Sequence, residues 1–140
     1  MSTPLSIRFD PGLLARLRQR ASLTAGLTGS ALAQRLVDEG LRMADHPGVI
    51  FKEGPSGRRA ALAYGPDIWE IIKFLREIDE RGSAALDAAA EVFAADASRI
   101  ATAVRYYGEY PGEIDAEIDA ADKASARAEE AWRIQRQLIA

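Results

Sequence analysis

The chain opens on a five-residue alternation, Leu5-Ser6-Ile7-Arg8-Phe9, followed at once by two apolar-periodic stretches, and no other feature restricts its fold so tightly. A lone strand cannot satisfy its own backbone donors and acceptors. The nearest supply of a second edge is another copy of the chain, so the alternation predicts a homodimer joined by a two-stranded antiparallel ribbon. Side chains alternate faces along a strand, which would turn Leu5, Ile7 and Phe9 inward as a dimer core and leave Pro4, Ser6 and Arg8 outward. A ribbon of that width fits a DNA major groove.

The following residues predict two helices. Asp10 is a good N-cap with Pro11 at the first helical position, ahead of Leu13, Leu14 and Leu17. Thr28 caps a second helix whose apolar face is Leu32, Leu36, Val37 and Leu41, so Leu32 and Leu36 join the predicted dimer core. The first amides of a helix lack internal partners and lie at the positive end of its dipole, so Thr28, Gly29 and Ser30 can hold a phosphate. Ordinary capping explains them too. For Arg8, contact with a base or phosphate is favoured over a solvated surface position, because arginine to guanine is the commonest specific contact.

From Leu5 to about Met43 the chain resembles the ribbon-helix-helix repressors and antitoxins of the Arc, MetJ, CopG and ParD types. The resemblance rests on the Arg8-Phe9-Asp10-Pro11 exit from the strand, the Leu13/Leu14/Leu17 helix and the Gly26-Leu27-Thr28-Gly29-Ser30 lead-in. It implies that Ser6 and Arg8, with the residue before them, read bases, and that Thr28, Gly29 and Ser30 face a phosphate. Pro4 stands where the family has a long polar reader.

Charge is distributed in keeping with that reading. The whole chain of 140 residues has a net charge of -3, which by itself argues against nucleic acid. Through Leu36, however, five arginines stand against the single acid Asp10, a net +4. From Pro111 onward seven acids face four basic residues, a net -3. Binding through the basic end would be salt-sensitive. The absence of cysteine excludes a disulfide framework and thiolate metal sites and fits a reducing cytosol. No stretch approaches the roughly 18 apolar residues of a membrane span, so a soluble, cytoplasmic protein with no membrane partner is expected.

Three domains are expected: 1–45 for DNA binding and dimerisation, 46–110 as a small helical domain, and 111–140 as a C-terminal helix for partner binding or oligomerisation. Asp45-His46-Pro47-Gly48 interrupts the helical period and marks the first boundary. Val49-Ile50-Phe51 and Ala60-Ala61-Leu62-Ala63-Tyr64 read as a hairpin around Lys52 to Arg59, whose turn, containing Pro55 and Ser56, lacks the spacing of a phosphate-binding loop. Asp67 caps a wide-faced helix of Ile68, Ile71, Ile72, Leu75 and Ile78. Two short helices then flank Ala94-Ala95-Asp96, either a helix-turn-helix with Ser98, Arg99, Thr102 and Arg105 on its reading helix or a plain packing unit. Residues 48–110 also resemble the small helical domain of unknown function 433. That resemblance rests on Gly54-Pro55, Gly57, Arg58-Arg59 and Leu62, with Ala103-Val104-Arg105-Tyr106-Tyr107 closing it. It implies an association with toxin-antitoxin pairs.

Pro111 starts a final helix to about Leu138, with Ile114, Ile118, Ala121, Ser125, Ala128, Trp132, Gln135 and Ile139 at steps of three and four. Trp132 with Arg133 and Arg136 forms an aromatic anchor flanked by charge, suited to a toxin partner. The antitoxin resemblance implies that such arginines occupy the metal-binding carboxylates of a PIN-type ribonuclease. Closure of the helix on its own core or its own dimer stands beside that reading. His46 is the only histidine, no nucleophile elbow or nucleotide fingerprint is present, and acids two apart on a helix do not face each other, so no enzymatic activity, no metal and no cofactor are expected.

The expected fold is therefore mostly α: an N-terminal ribbon-helix-helix, a helix-turn-helix-like domain with a short hairpin, and a long C-terminal helix. The expected function is a dimeric antitoxin that binds operator DNA, represses its own operon and neutralises a ribonuclease toxin. The alternatives are a stand-alone ribbon-helix-helix regulator and a protein-interaction adaptor.

Overall fold

In the computed structural model, residues 2–54 and 57–140 are described, and they form six helices and one two-stranded sheet. The chain divides into two compact units, Met1–Arg42 and Met43–Ala140.

The first unit holds α1, Pro11–Ser22, and most of α2, Gly29–Asp45. The Asp10 carboxylate accepts from the Leu13 amide at 3.2 Å, and Pro11 occupies the first turn where its missing N–H costs nothing. Gly26, at φ +78°, supplies the left-handed turn between the helices. Thr28 Oγ1 then accepts from the Ala31 amide at 3.1 Å and starts α2.

Ahead of α1 the expected ribbon is not there. Residues 2–10 form no strand, and the only strands among the described residues are β1, Val49–Gly54, and β2, Gly57–Leu62, which pair with each other. Alternation supplies a face but a strand exists only as part of a ladder, and the single chain gives residues 5–9 no partner edge. As a result Leu5 is 81% exposed and Ile7 58%, and Phe9 also lies on the surface. The dimer core read from the sequence is not assembled within the chain. Of Leu5, Ile7, Phe9, Leu32 and Leu36, the structure buries Leu32 alone.

The second unit begins with the antiparallel hairpin, in register from Val49 opposite Leu62 to Gly54 opposite Gly57. Its strands run further toward the turn than the apolar residues suggest, because Glu53 and Arg58 face each other across the ladder and pair at 3.3 Å. The turn residues Pro55 and Ser56 lie outside the described residues. Three helices follow: α3, Ile68–Glu77, α4, Ser83–Phe93, and α5, Ala97–Glu109. Ala94 ends α4 in the left-handed conformation at φ 51°. The core gathers Val49, Leu62, Ile68, Ile71, Ile100 and Tyr106.

The last helix, α6, runs Pro111–Ile139, about 43 Å at 1.5 Å per residue. Ile114 and Ile118 on its first turns enter the core against α3 and α5. From Asp122 to Ala140 every residue is exposed.

Candidate functional site

The residues expected to meet DNA all lie in the first unit. Pro4, Ser6 and Arg8 are exposed in the irregular segment before α1, where no ladder fixes their spacing. Thr28 and Ser30 are exposed at the start of α2 with Gly29 half-buried between them. The Thr28 hydroxyl accepts the capping bond from the Ala31 amide and keeps its own O–H to donate, so that hydroxyl and the first-turn amides left without partners are the groups able to meet an anion. Arg16, Arg18 and Arg20 on α1 are exposed as well, so four guanidinium groups of this unit point into solvent. Leu36, Val37 and Leu41 form an exposed apolar stripe along α2.

The anchor residues of α6 are brought together only in part. The Arg136 guanidinium lies over the Trp132 ring, 4.8 Å from its centroid. Arg133 turns away and donates through Nε to Glu130 at 3.1 Å. One residue step around a helix is about 100°, so Trp132 and Arg136, four apart, share a face that Arg133 leaves.

The reading helix of the possible helix-turn-helix is largely occupied. Arg99 donates to the Ala63 carbonyl, tying α5 to the end of the hairpin. Buried Thr102 donates to the Ser98 carbonyl at 3.1 Å and accepts from Arg105 at 3.1 Å. Of the four named side chains, Ser98 and Arg105 are exposed. These bonds favour the plain packing unit.

Two polar clusters of the second unit were not visible in the sequence. Asp67, read as a simple cap, makes no side-chain cap bond. Its buried carboxylate accepts from Arg59 Nε, accepts from the Trp69 indole at 3.1 Å and pairs with Lys52 at 3.0 Å. Lys52 and Arg59 stand directly opposite on β1 and β2, a like-charge pair that would be unfavourable without the anion. Asp67 thus supplies the countercharge that closes the hairpin onto the start of α3. The second cluster surrounds His46, whose Nε2 lies 2.5 Å from Glu109 Oε2 and whose ring meets Tyr106 edge-on with centroids 5.3 Å apart. Tyr106 in turn donates to Glu113 at 2.8 Å, joining α5 to α6.

Glu117 lies between these groups. Burial, reinforced by the negative charges of Glu113 and Asp67 and opposed by Arg59, pushes its carboxyl up to about 7. Its Oε2 and the Arg59 Nη1 are both buried without a hydrogen-bond partner. Glu70 is also raised, by burial and by Asp67. Among the described residues no group of three or more histidine or acidic side chains is arranged to hold a metal ion, and no helix is long and apolar enough to cross a membrane.

The signal that would reveal these clusters is weak, since His46 and Glu109 are 63 residues apart. No family model, no curated protein and no solved structure matches the chain.

Proposed function

We propose that the chain is a non-catalytic regulator of the antitoxin kind, in which the first unit holds duplex DNA as a homodimer and the outer half of α6 holds a protein. One observation carries the reading. Large apolar side chains left in solvent concentrate in residues 5–43 and in residues 132–139, while the residues between them close a core. Exposed apolar groups in that number mark interaction surfaces.

The first surface is also basic. Exposed Arg8, Arg16, Arg18 and Arg20, doubled in a homodimer joined through Leu36, Val37 and Leu41, supply charge for phosphates. The amides of Gly29 and Ser30 add a phosphate site at the start of α2. On α6, Trp132 and Arg136 form the anchor of the protein surface, and in a toxin-antitoxin pair the protein held there is a small ribonuclease.

A gel-shift titration of the full chain against duplex DNA tests the first half. Binding is expected at low salt, with a logarithmic affinity that falls linearly with the logarithm of salt concentration, and Arg16, Arg18 and Arg20 changed together to Gln should flatten that slope. At a specific site Arg8→Ala should cost about 1 to 3 kcal/mol. No shift at any salt would overturn DNA binding. Truncation after Ala120 tests the second half: it should abolish capture of the protein encoded by the neighbouring reading frame and leave the DNA shift intact. A DNA shift with no captured neighbour would leave a stand-alone regulator.

A further inference from the structure

The outer half of α6 carries a heptad stripe that begins inside the molecule and runs out of it. Ile114 and Ile118 are buried in the core, and the same spacing continues through Ala121, Ser125, Ala128, Trp132, Gln135 and Ile139. Beyond Ala121 every residue that carries it is exposed. A repeat of this period is the pattern by which one helix seats its side chains between those of another. We infer that in the free protein the uncovered stretch of α6 pairs antiparallel with the same stretch of a second copy of this chain. The inference rests on the reading of outer α6 as a protein-binding helix and names the protein it holds when no toxin is present. A toxin on the same face would compete with it.

Three features select the second copy and its register. The first is size. In an antiparallel coiled coil the two alternating seam positions of one helix face those of the other in reverse order, which sets Trp132 over Ala128 of the second copy and Ile139 over its Ala121. Each large side chain then meets a small one, and Ser125 meets Gln135 in a polar layer. A parallel pair would instead stack Trp132 on Trp132 and set Glu117 beside Asp122.

The second feature is charge. The same register places Asp122 beside Arg136 of the second copy, twice by symmetry. Asp122 already accepts from Lys73, but half of its side chain is exposed and its carboxylate can receive a second cation. Glu129 meets its own copy at the centre, the one like-charge contact among these flanking positions. Leu138, 86% exposed in the single chain, falls over Ala124 of the second copy and leaves water.

The third feature is length. From half-buried Ala121 to exposed Ile139 the stripe spans about 27 Å at the helical rise. The second helix ends just where α3 begins to cover α6. Sliding it one heptad further would drive Ile139 of the second copy against Ile114, which the core already holds.

Because the chain contains no cysteine, cross-linking reads this pairing cleanly. In the full-length protein, Ser125→Cys and Gln135→Cys together should give, on mild oxidation, a disulfide-linked species of twice the chain mass. Either substitution alone should give none. Adding Ala128→Glu should abolish the link while leaving the helical circular-dichroism signal unchanged, since the site is exposed. Glu129→Gln, which removes the central like-charge contact, should speed the link. A linked species from either single variant would require parallel pairing and overturn the inference, as would a double variant that stays single. Cross-linking reports self-pairing alone, so its failure leaves capture of a foreign protein by α6, read by truncation, standing.

Discussion

Met1–Arg42 leaves Leu5, Ile7, Leu13, Leu36, Val37 and Leu41 in solvent and buries the apolar Ala21 and Leu32, whereas among the described residues the second unit closes a core of twelve side chains that includes Ile71, Ile100 and Tyr106. Both regions carry helices with apolar faces, so helix propensity does not separate them. What differs is whether the chain itself supplies the opposing surface. In the second unit α3, α5 and the first turns of α6 each present an apolar face to the same centre. A unit of about 40 residues has too little chain to do so, and at that size stability usually comes from oligomerisation, a metal or disulfides. The chain contains no cysteine, and the exposed leucines of this unit are the surface that the proposed homodimer would cover.

The comparison breaks most visibly if the core of the second unit proves soft. Ile100 is fully buried, so Ile100→Ala should cost about 2 to 5 kcal/mol in chemical denaturation. A loss below that range would mean the second unit is not closed as described. Next in size is Asp67→Asn, which leaves Lys52 and Arg59 opposed without their countercharge and should cost about 1 to 3 kcal/mol by the same measurement. Ala94→Gly should work the other way, raising stability by about 0.5 to 1 kcal/mol, because glycine accepts the left-handed conformation that Ala94 is held in. A lowered melting temperature would show that the turn needs the methyl group. Leu36→Ala in the first unit should change the unfolding of the isolated chain by less than about 0.5 kcal/mol, while weakening self-association in sedimentation. A large intrachain loss there would erase the contrast between the units.

A pH series sharpens the same contrast from inside the second unit. Glu117 is held at about 7 against an ordinary value of 4.5, so the folded chain binds a proton that the unfolded chain has released between those two values. Its contribution is therefore complete below 4.5 and is lost as pH rises through about 7. Glu117→Gln should match the parent in melting temperature below that window and exceed it above, with the difference opening across it. A constant difference at every pH would remove Glu117 from the account.

Local signals in the sequence translated directly. Asp10-Pro11 and Pro111 start helices where capping chemistry and a fixed φ place them, and Gly26 turns the chain between α1 and α2. Val49 to Leu62 forms a hairpin, and the mostly helical content is as read. The N-terminal ribbon was misread because a period of two specifies a face and not a partner. Asp67 stands at the N-cap of α3 as its position implies, but its carboxylate goes instead to two cations on strands whose register the sequence does not announce. On α6, spacing put Trp132 and Arg136 together but could not tell that Arg133 would turn to Glu130.

Taken alone, the order of residues determined where helices begin and end, which faces are apolar, and that charge is basic toward one terminus and acidic toward the other, because each of these depends on neighbours within a turn or two of chain. Only the tertiary structure decided which apolar faces are covered, that Asp67 closes the hairpin, that His46 meets Glu109, and that Glu117 is half-buried beside other acids. Those outcomes depend on groups tens of residues apart being desolvated together, and desolvation is a property of the packed molecule that no local pattern encodes.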